Sequence, residues 1–113
     1  MQVTGWLQAR QALRRAETKC KVMEARERLL AAELALRCYQ SDQGHPPARL
    51  GELATIYLSH VPEDPFSGQP LVYRAQGTNW LLYSVGPDGV DDGGKPIGRG
   101  LAGKGDLFLD SPW

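Results

Sequence analysis

The chain is poor in cysteine, in histidine and in net charge, and each shortage closes a class of function. Among 113 residues there are two cysteines and two histidines, and they stand at no Cys/His zinc spacing. Cys20 and Cys38 fall in one helical stretch, where their spacing corresponds to about 27 Å of helix. A disulfide needs Cα atoms within about 7 Å, so the two do not pair along a straight helix. They read as small buried apolar residues. Basic and acidic side chains balance at 13 each, so no global charge points to nucleic acid or to acidic lipid. No apolar run approaches the roughly eighteen residues of a membrane helix, and the N-terminus has no signal-peptide core. As given, the chain reads as soluble. It also lacks a nucleophile elbow: Ser84 sits in Tyr83-Ser84-Val85-Gly86, not in G-x-S-x-G. His45, in a Pro-bounded loop, and His60, after a short Leu-rich segment, read as surface residues. The expectation is a protein that is not an enzyme.

Glycine and proline are missing from residues 7 to 43, and what stands there is a helix, expected over 7–40. Val22, Ala25, Leu29, Ala32, Leu36 and Tyr39 recur at spacings of three and four and make one apolar stripe. Leu13, Ala16, Cys20, Met23, Leu30 and Leu34, interrupted by Glu27, are read as a neighbouring stripe that broadens the same face. Glu17 with Lys21, Glu24 with Arg28 and Glu33 with Arg37 are acid-then-base pairs at i, i+4, suited to a helix standing partly in water. Arg10, Arg14 and Arg15 give its start a basic character. That is read as a solvated face rather than a phosphate site, since no aromatic interleaving or DNA-binding fold accompanies it. The first turns are expected to project beyond what so short a chain can cover.

Beyond Gly44 the composition changes. Pro46 and Pro47 end the helix, and Leu50 to Leu58 carries apolar residues at helical spacing, a second short helix. "VPEDPFSGQP" is turn material. Residues 71–74, 79–85 and 106–110 read as strands, the first two joined as a hairpin by Gln76-Gly77-Thr78. The expected fold is α+β: one domain, 1–113, with the long helix packed on a three-stranded antiparallel sheet over 71–110. A glycine- and aspartate-rich loop, 86–105, joins the last two strands.

That loop concentrates Asp88, Asp91 and Asp92 among glycines. Its G-x-G-x-x-G and G-x-x-x-x-G-K matches, from Gly98, lack the preceding strand and following helix that phosphate binding needs. An EF-hand counted from Asp88 fails at Val90 and Arg99. Two readings stay open. One is a solvated acidic turn. The other is a calcium site, because a hard cation takes six to eight oxygens from carboxylates and carbonyls and would turn the mutual repulsion into attraction. Asp106 stands where it can close such a site.

The order Tyr39, Asp42, Gly44, Pro46 or Pro47, Leu50 to Leu58, Pro62-Glu63-Asp64-Pro65 and Tyr83 to Gly89 resembles the periplasmic domain of the major pseudopilin of type II secretion systems, in the type IV pilin-like superfamily. The likeness covers about residues 26 to 113. It implies a long helix on a small antiparallel sheet, and calcium held in the loop before the last strand. The Gly-x-Asp-Gly ligand falls on Asp88 and a main-chain carbonyl ligand near Val85. The family's Asp-x-Asp pair places its second acid on Asp106, while its first falls on Lys104; Asp91 or Asp92 then substitutes. Family members begin with an apolar anchor of about twenty residues, the length a bilayer needs. This chain begins "MQVTGWLQAR", with Trp6 and Leu7 the last trace of an anchor, or else it is a module detached from filament duty. The resemblance implies a structural subunit on the periplasmic face of the inner membrane. It would touch the membrane only through that anchor and assemble with itself or other pseudopilins through the long helix. The alternative is a standalone calcium-dependent binding module.

Overall fold

The computed structural model describes residues 2–87, 89–94 and 106–109, with side chains from residue 7 onward. The chain is α+β: a long N-terminal helix, a 3-10 turn and a two-stranded antiparallel sheet. The helix α1 spans Gln2–Gln43, longer at both ends than the expected 7–40. With no proline or glycine between residues 6 and 44, nothing interrupts its backbone ladder. It stops at Gly44, whose φ of +81° is left-handed. The Gly44 N–H donates to the Gln40 carbonyl at 2.8 Å, a closure that glycine makes without steric cost. Forty-two residues correspond to about 63 Å of helix, and the molecule's longest dimension is 64 Å. The rod sets the length of the molecule. Among the described residues no helix is long and apolar enough to cross a membrane.

Among the described residues, one face of the rod is covered. Val22, Ala25, Leu29, Ala32 and Leu36 are buried, and Tyr39 packs half-buried at the end of the stripe. The second stripe faces water: Leu13 is 61% exposed, Met23 66%, Leu30 48% and Leu34 55%. Cys20 and Cys38, expected to be buried, are exposed too. The reason is angular. At about 100° per residue the two stripes centre on opposite sides of the helix, so they form two faces and not one broad one.

The covering layer is small. The strands β1, Val72–Gln76, and β2, Asn79–Tyr83, pair antiparallel from Val72 with Tyr83 to Gln76 with Asn79. A two-residue turn joins them, with Gly77 at φ +63° in its first position, as a type II′ hairpin requires. Trp80 and Leu82 of β2 and Tyr73 of β1 pack with the helix stripe. The Trp80 indole N–H donates to Glu33 Oε2 at 2.9 Å. The expected third strand is reduced, among the described residues, to a bridge between Leu107 and Ser84. Asp106 and Leu107 are bridge residues rather than part of a ladder, and the Asp106 side chain turns to the preceding loop.

The expected helix over 50–58 is a 3-10 turn, Leu50–Leu53. Glu52 fastens its start, accepting the N–H groups of Ala48 at 2.6 Å and Arg49 at 3.1 Å. It cannot continue, because Thr55 takes φ +77°, outside any right-handed helix. Leu50 and Leu53 still reach the core, so the apolar spacing is used by a tighter turn followed by a loop.

Leu29→Ala and Leu30→Ala are neighbours with opposite expected outcomes. In urea unfolding of dilute protein the first costs about 3 kcal/mol through the cavity it leaves, and the second stays within about 0.5 kcal/mol. Equal losses in dilute protein would mean that the chain covers both faces itself.

Candidate functional site

Three segments meet at Ser84. Its N–H donates to the Leu107 carbonyl at 2.8 Å, and the Leu107 N–H returns to the Ser84 carbonyl at 2.7 Å. Its hydroxyl donates to Asp64 Oδ1 at 2.8 Å and accepts the Gly86 N–H at 3.1 Å. The peptide that ends β2 is thus joined to the 62–70 turn, to the start of the glycine loop and to the C-terminal segment.

Asp64 is fully buried. A carboxylate removed from water costs several kcal/mol unless hydrogen bonds replace its hydration. Here Oδ1 accepts from the Ser84 hydroxyl and from the Phe66 N–H at 3.0 Å, and Oδ2 accepts the Val85 N–H at 2.8 Å. The bond to Phe66, two residues on, is the local turn that aspartate favours. Its backbone N–H donates to the Gln69 carbonyl at 2.7 Å, and its carbonyl accepts the Gly68 N–H at 2.8 Å.

Asp106 is the second fully buried carboxylate. Its Oδ1 accepts the Asp92 N–H at 3.1 Å and its Oδ2 the Gly94 N–H at 2.7 Å. It thereby folds the acidic loop back over the outer face of β2. Gly94 lies so close there that a Cβ would stand 3.3 Å from Leu81 Cδ2 and 3.7 Å from Tyr83 Cε1, at φ +89°. Burial pushes the Asp106 carboxyl pKa up, the two amides draw it back, and the charges of Asp91 and Asp92 push it up again. The result is a net rise: negative charge at Asp106 is under-compensated.

Tyr83 lies beneath this loop, fully buried, its ring 5.2 Å from that of Phe108. Its hydroxyl donates to Asp91 Oδ1 at 2.7 Å, the oxygen that also accepts the Gly93 N–H at 2.9 Å. The Tyr83 hydroxyl, with the Gly93 amide after it, holds the Asp91 carboxyl below the ordinary carboxylate range. Burial, then the bond to Asp91, pushes the Tyr83 hydroxyl up to about 12.

Of the residues singled out as metal ligands, Asp91, Asp92 and Asp106 are brought into one short loop. They are joined through backbone amides and a tyrosine hydroxyl rather than at a common point. Val85 is buried beside them, its N–H committed to Asp64. Asp88, Lys104 and the glycine motifs from Gly98 lie outside the described residues. Among the described residues no three acidic, histidine or cysteine side chains converge closely enough to hold a metal ion. The donor set is nonetheless all hard oxygen, and the charges of Asp91 and Asp92 stand beside the buried Asp106 carboxyl, a donor chemistry of the kind a calcium ion takes. Sequence reasoning passed over Asp64, Ser84 and Tyr83 as participants. The signal for Asp64 was an aspartate before proline in a turn flanked by Val61 and Phe66. No family model, curated protein or solved structure matches the chain.

Two substitutions test this arrangement. Asp64→Ala strands the buried Ser84 and Val85 donors and the half-buried Phe66 amide, and is expected to cost at least about 3 kcal/mol in urea unfolding. Tyr83→Phe keeps the ring and loses the bond to Asp91, costing about 1 kcal/mol at pH 7. Its pH effect has a definite sign. The folded pKa is raised, so the contribution is complete below pH 10, where the unfolded tyrosine titrates. It is lost as pH rises towards about 12. Wild-type stability therefore falls over that window, and the variant lacks this part of the fall.

Proposed function

We propose that the chain is a pseudopilin-like structural subunit of a type II secretion or type IV pilus-like filament, without catalytic activity. In this reading α1 is its assembly element and the acidic loop is ordered by calcium. The observation that carries the reading is the half-covered rod. From Leu7 to Lys21 every residue but Thr18 is exposed, and from Val22 to Leu36 a single stripe seats a small sheet. A helix that long, and that bare over its first half, suits a subunit that packs beside other subunits. The order of motifs from Tyr39 to Gly89 supports the same reading. The reading places the protein on the periplasmic face of the inner membrane, anchored by an apolar segment ahead of residue 1, and gives it no nucleic-acid partner. A standalone calcium-dependent module remains the alternative. Gene context separates the two: an upstream apolar segment with a neighbouring prepilin peptidase and secretion ATPase favours the filament, and their absence favours the module.

The residues that would hold calcium are Asp88, Asp91, Asp92 and Asp106, with the Val85 carbonyl. Bound there, the ion would supply positive charge that the loop's amides only partly provide. The buried Asp106 carboxylate fixes the loop to the sheet, and the glycines let its backbone turn.

Calorimetric titration of the full chain with calcium is expected to give a saturable heat that Asp88→Ala abolishes. At a hundredfold excess over Kd the ion stabilises the fold by about 2.7 kcal/mol. Without the ion, the Asp106 contribution is lost as pH rises through its raised pKa. With calcium bound, stability rises with pH over the same acid range. No heat in the wild-type protein removes the ion from the account.

A further inference from the structure

The exposed face of α1 has a regular spacing. Leu13, Ala16, Cys20, Met23, Glu27, Leu30 and Leu34 follow one another at steps of three and four without a break, the a/d repeat of a coiled coil. All seven are exposed. They lie opposite the stripe that seats the sheet, so the head does not obstruct them. Six of the seven are apolar, and they extend over about three heptads, the length at which such a seam becomes meaningful. The register puts Leu13, Cys20, Glu27 and Leu34 at a, and Ala16, Met23 and Leu30 at d.

We infer that this face pairs with a second copy of the same chain as a parallel, in-register, two-stranded coiled coil. The charges beside the seam choose the partner and its direction. In parallel register Lys19, at g, reaches the partner's Glu24, at e, and the symmetric pair forms as well. No like-charged g–e pair arises between residues 12 and 38. Antiparallel pairing centred on Cys20 and Met23 sets Lys19 against Arg26 and Glu17 against Glu24, like against like, which is destabilising. Glu27 is the polar residue at a: it weakens the pair and penalises slipped registers that would bury it against a leucine. The inference goes beyond the filament reading, because an in-register pair is two-fold and closed and does not itself extend a filament. A monomeric protein would refute the coil alone, while gene context decides the filament.

The test uses the full chain in a Cys20→Ser, Cys38→Ser background. Leu13→Cys is expected to cross-link to its own copy when oxidised glutathione converts the two thiols to a disulfide and is itself reduced. In an antiparallel pair with residue 13 facing residue 30, the two thiols would stand about 26 Å apart, beyond disulfide reach. Gln11→Cys, off the seam, is expected not to cross-link. Sedimentation equilibrium is expected to show a concentration-dependent dimer that Glu27→Leu tightens at least about tenfold. Met23→Glu is expected to abolish it while leaving the unfolding temperature of dilute protein unchanged, because Met23 touches no core. Dimers that cross-link equally at 11 and 13, or not at 13, overturn the parallel coil. A protein that stays monomeric at about 0.5 mM, with Glu27→Leu monomeric too, overturns the pairing itself.

Discussion

The packing of one helical stripe, Val22 to Leu36, underlies the rest of the structure. The sheet, the 3-10 turn and Leu107 all contribute to the core that this stripe completes. Alanine at 25, 32 and 35 lets the small layer approach closely, and Leu29 and Leu36 fill the space between. The fifteen residues from Leu7 to Lys21 receive almost none of this cover. A stretch of helix without tertiary contact is marginal in water, so the first half of the rod depends on being continuous with the second half and on whatever lies beside it. The proposals of filament assembly and of helix pairing both start from that imbalance.

The head is held by a second, polar, device. Two carboxylates are fully buried on either side of Ser84, and they are compensated differently. Asp64 receives three donors, from a hydroxyl and two amides, and closes a turn that has no regular structure of its own. Asp106 receives two amides and stands near Asp91 and Asp92, so its charge is only partly answered. The first is a completed structural lock. The second is a lock whose charge is only partly answered, and the proposed calcium ion would act there.

How much of this could be read in the sequence depended on whether the cause was local. The helix, its glycine stop, the buried stripe, the hairpin and its Gly77 turn follow from spacing and turn chemistry, and they stand close to where those rules put them. The second stripe was legible as residues but not as a surface. Spacing shows that Leu13 to Leu34 share a face, and only the angle between the stripes shows that this face is not the one the sheet covers. The segment after Leu53 shows the same limit: apolar spacing suggested a helix to Leu58, and a left-handed Thr55 ends it. The roles of Asp64 and Ser84 come from contacts twenty residues apart, which no local pattern encodes. The acidic loop was recognisable as a unit, whereas the burial of Asp106 and its hold on the Asp92 and Gly94 amides were not.

Amide hydrogen exchange along α1, read by mass spectrometry at low and high protein concentration, tests the half-covered rod most directly. The account expects slow exchange over residues 22–40 at every concentration. Over residues 7–21 it expects fast exchange in dilute protein and slower exchange as concentration rises. Uniformly slow exchange over both halves in dilute protein would contradict it, because the first half would then be stable without any partner.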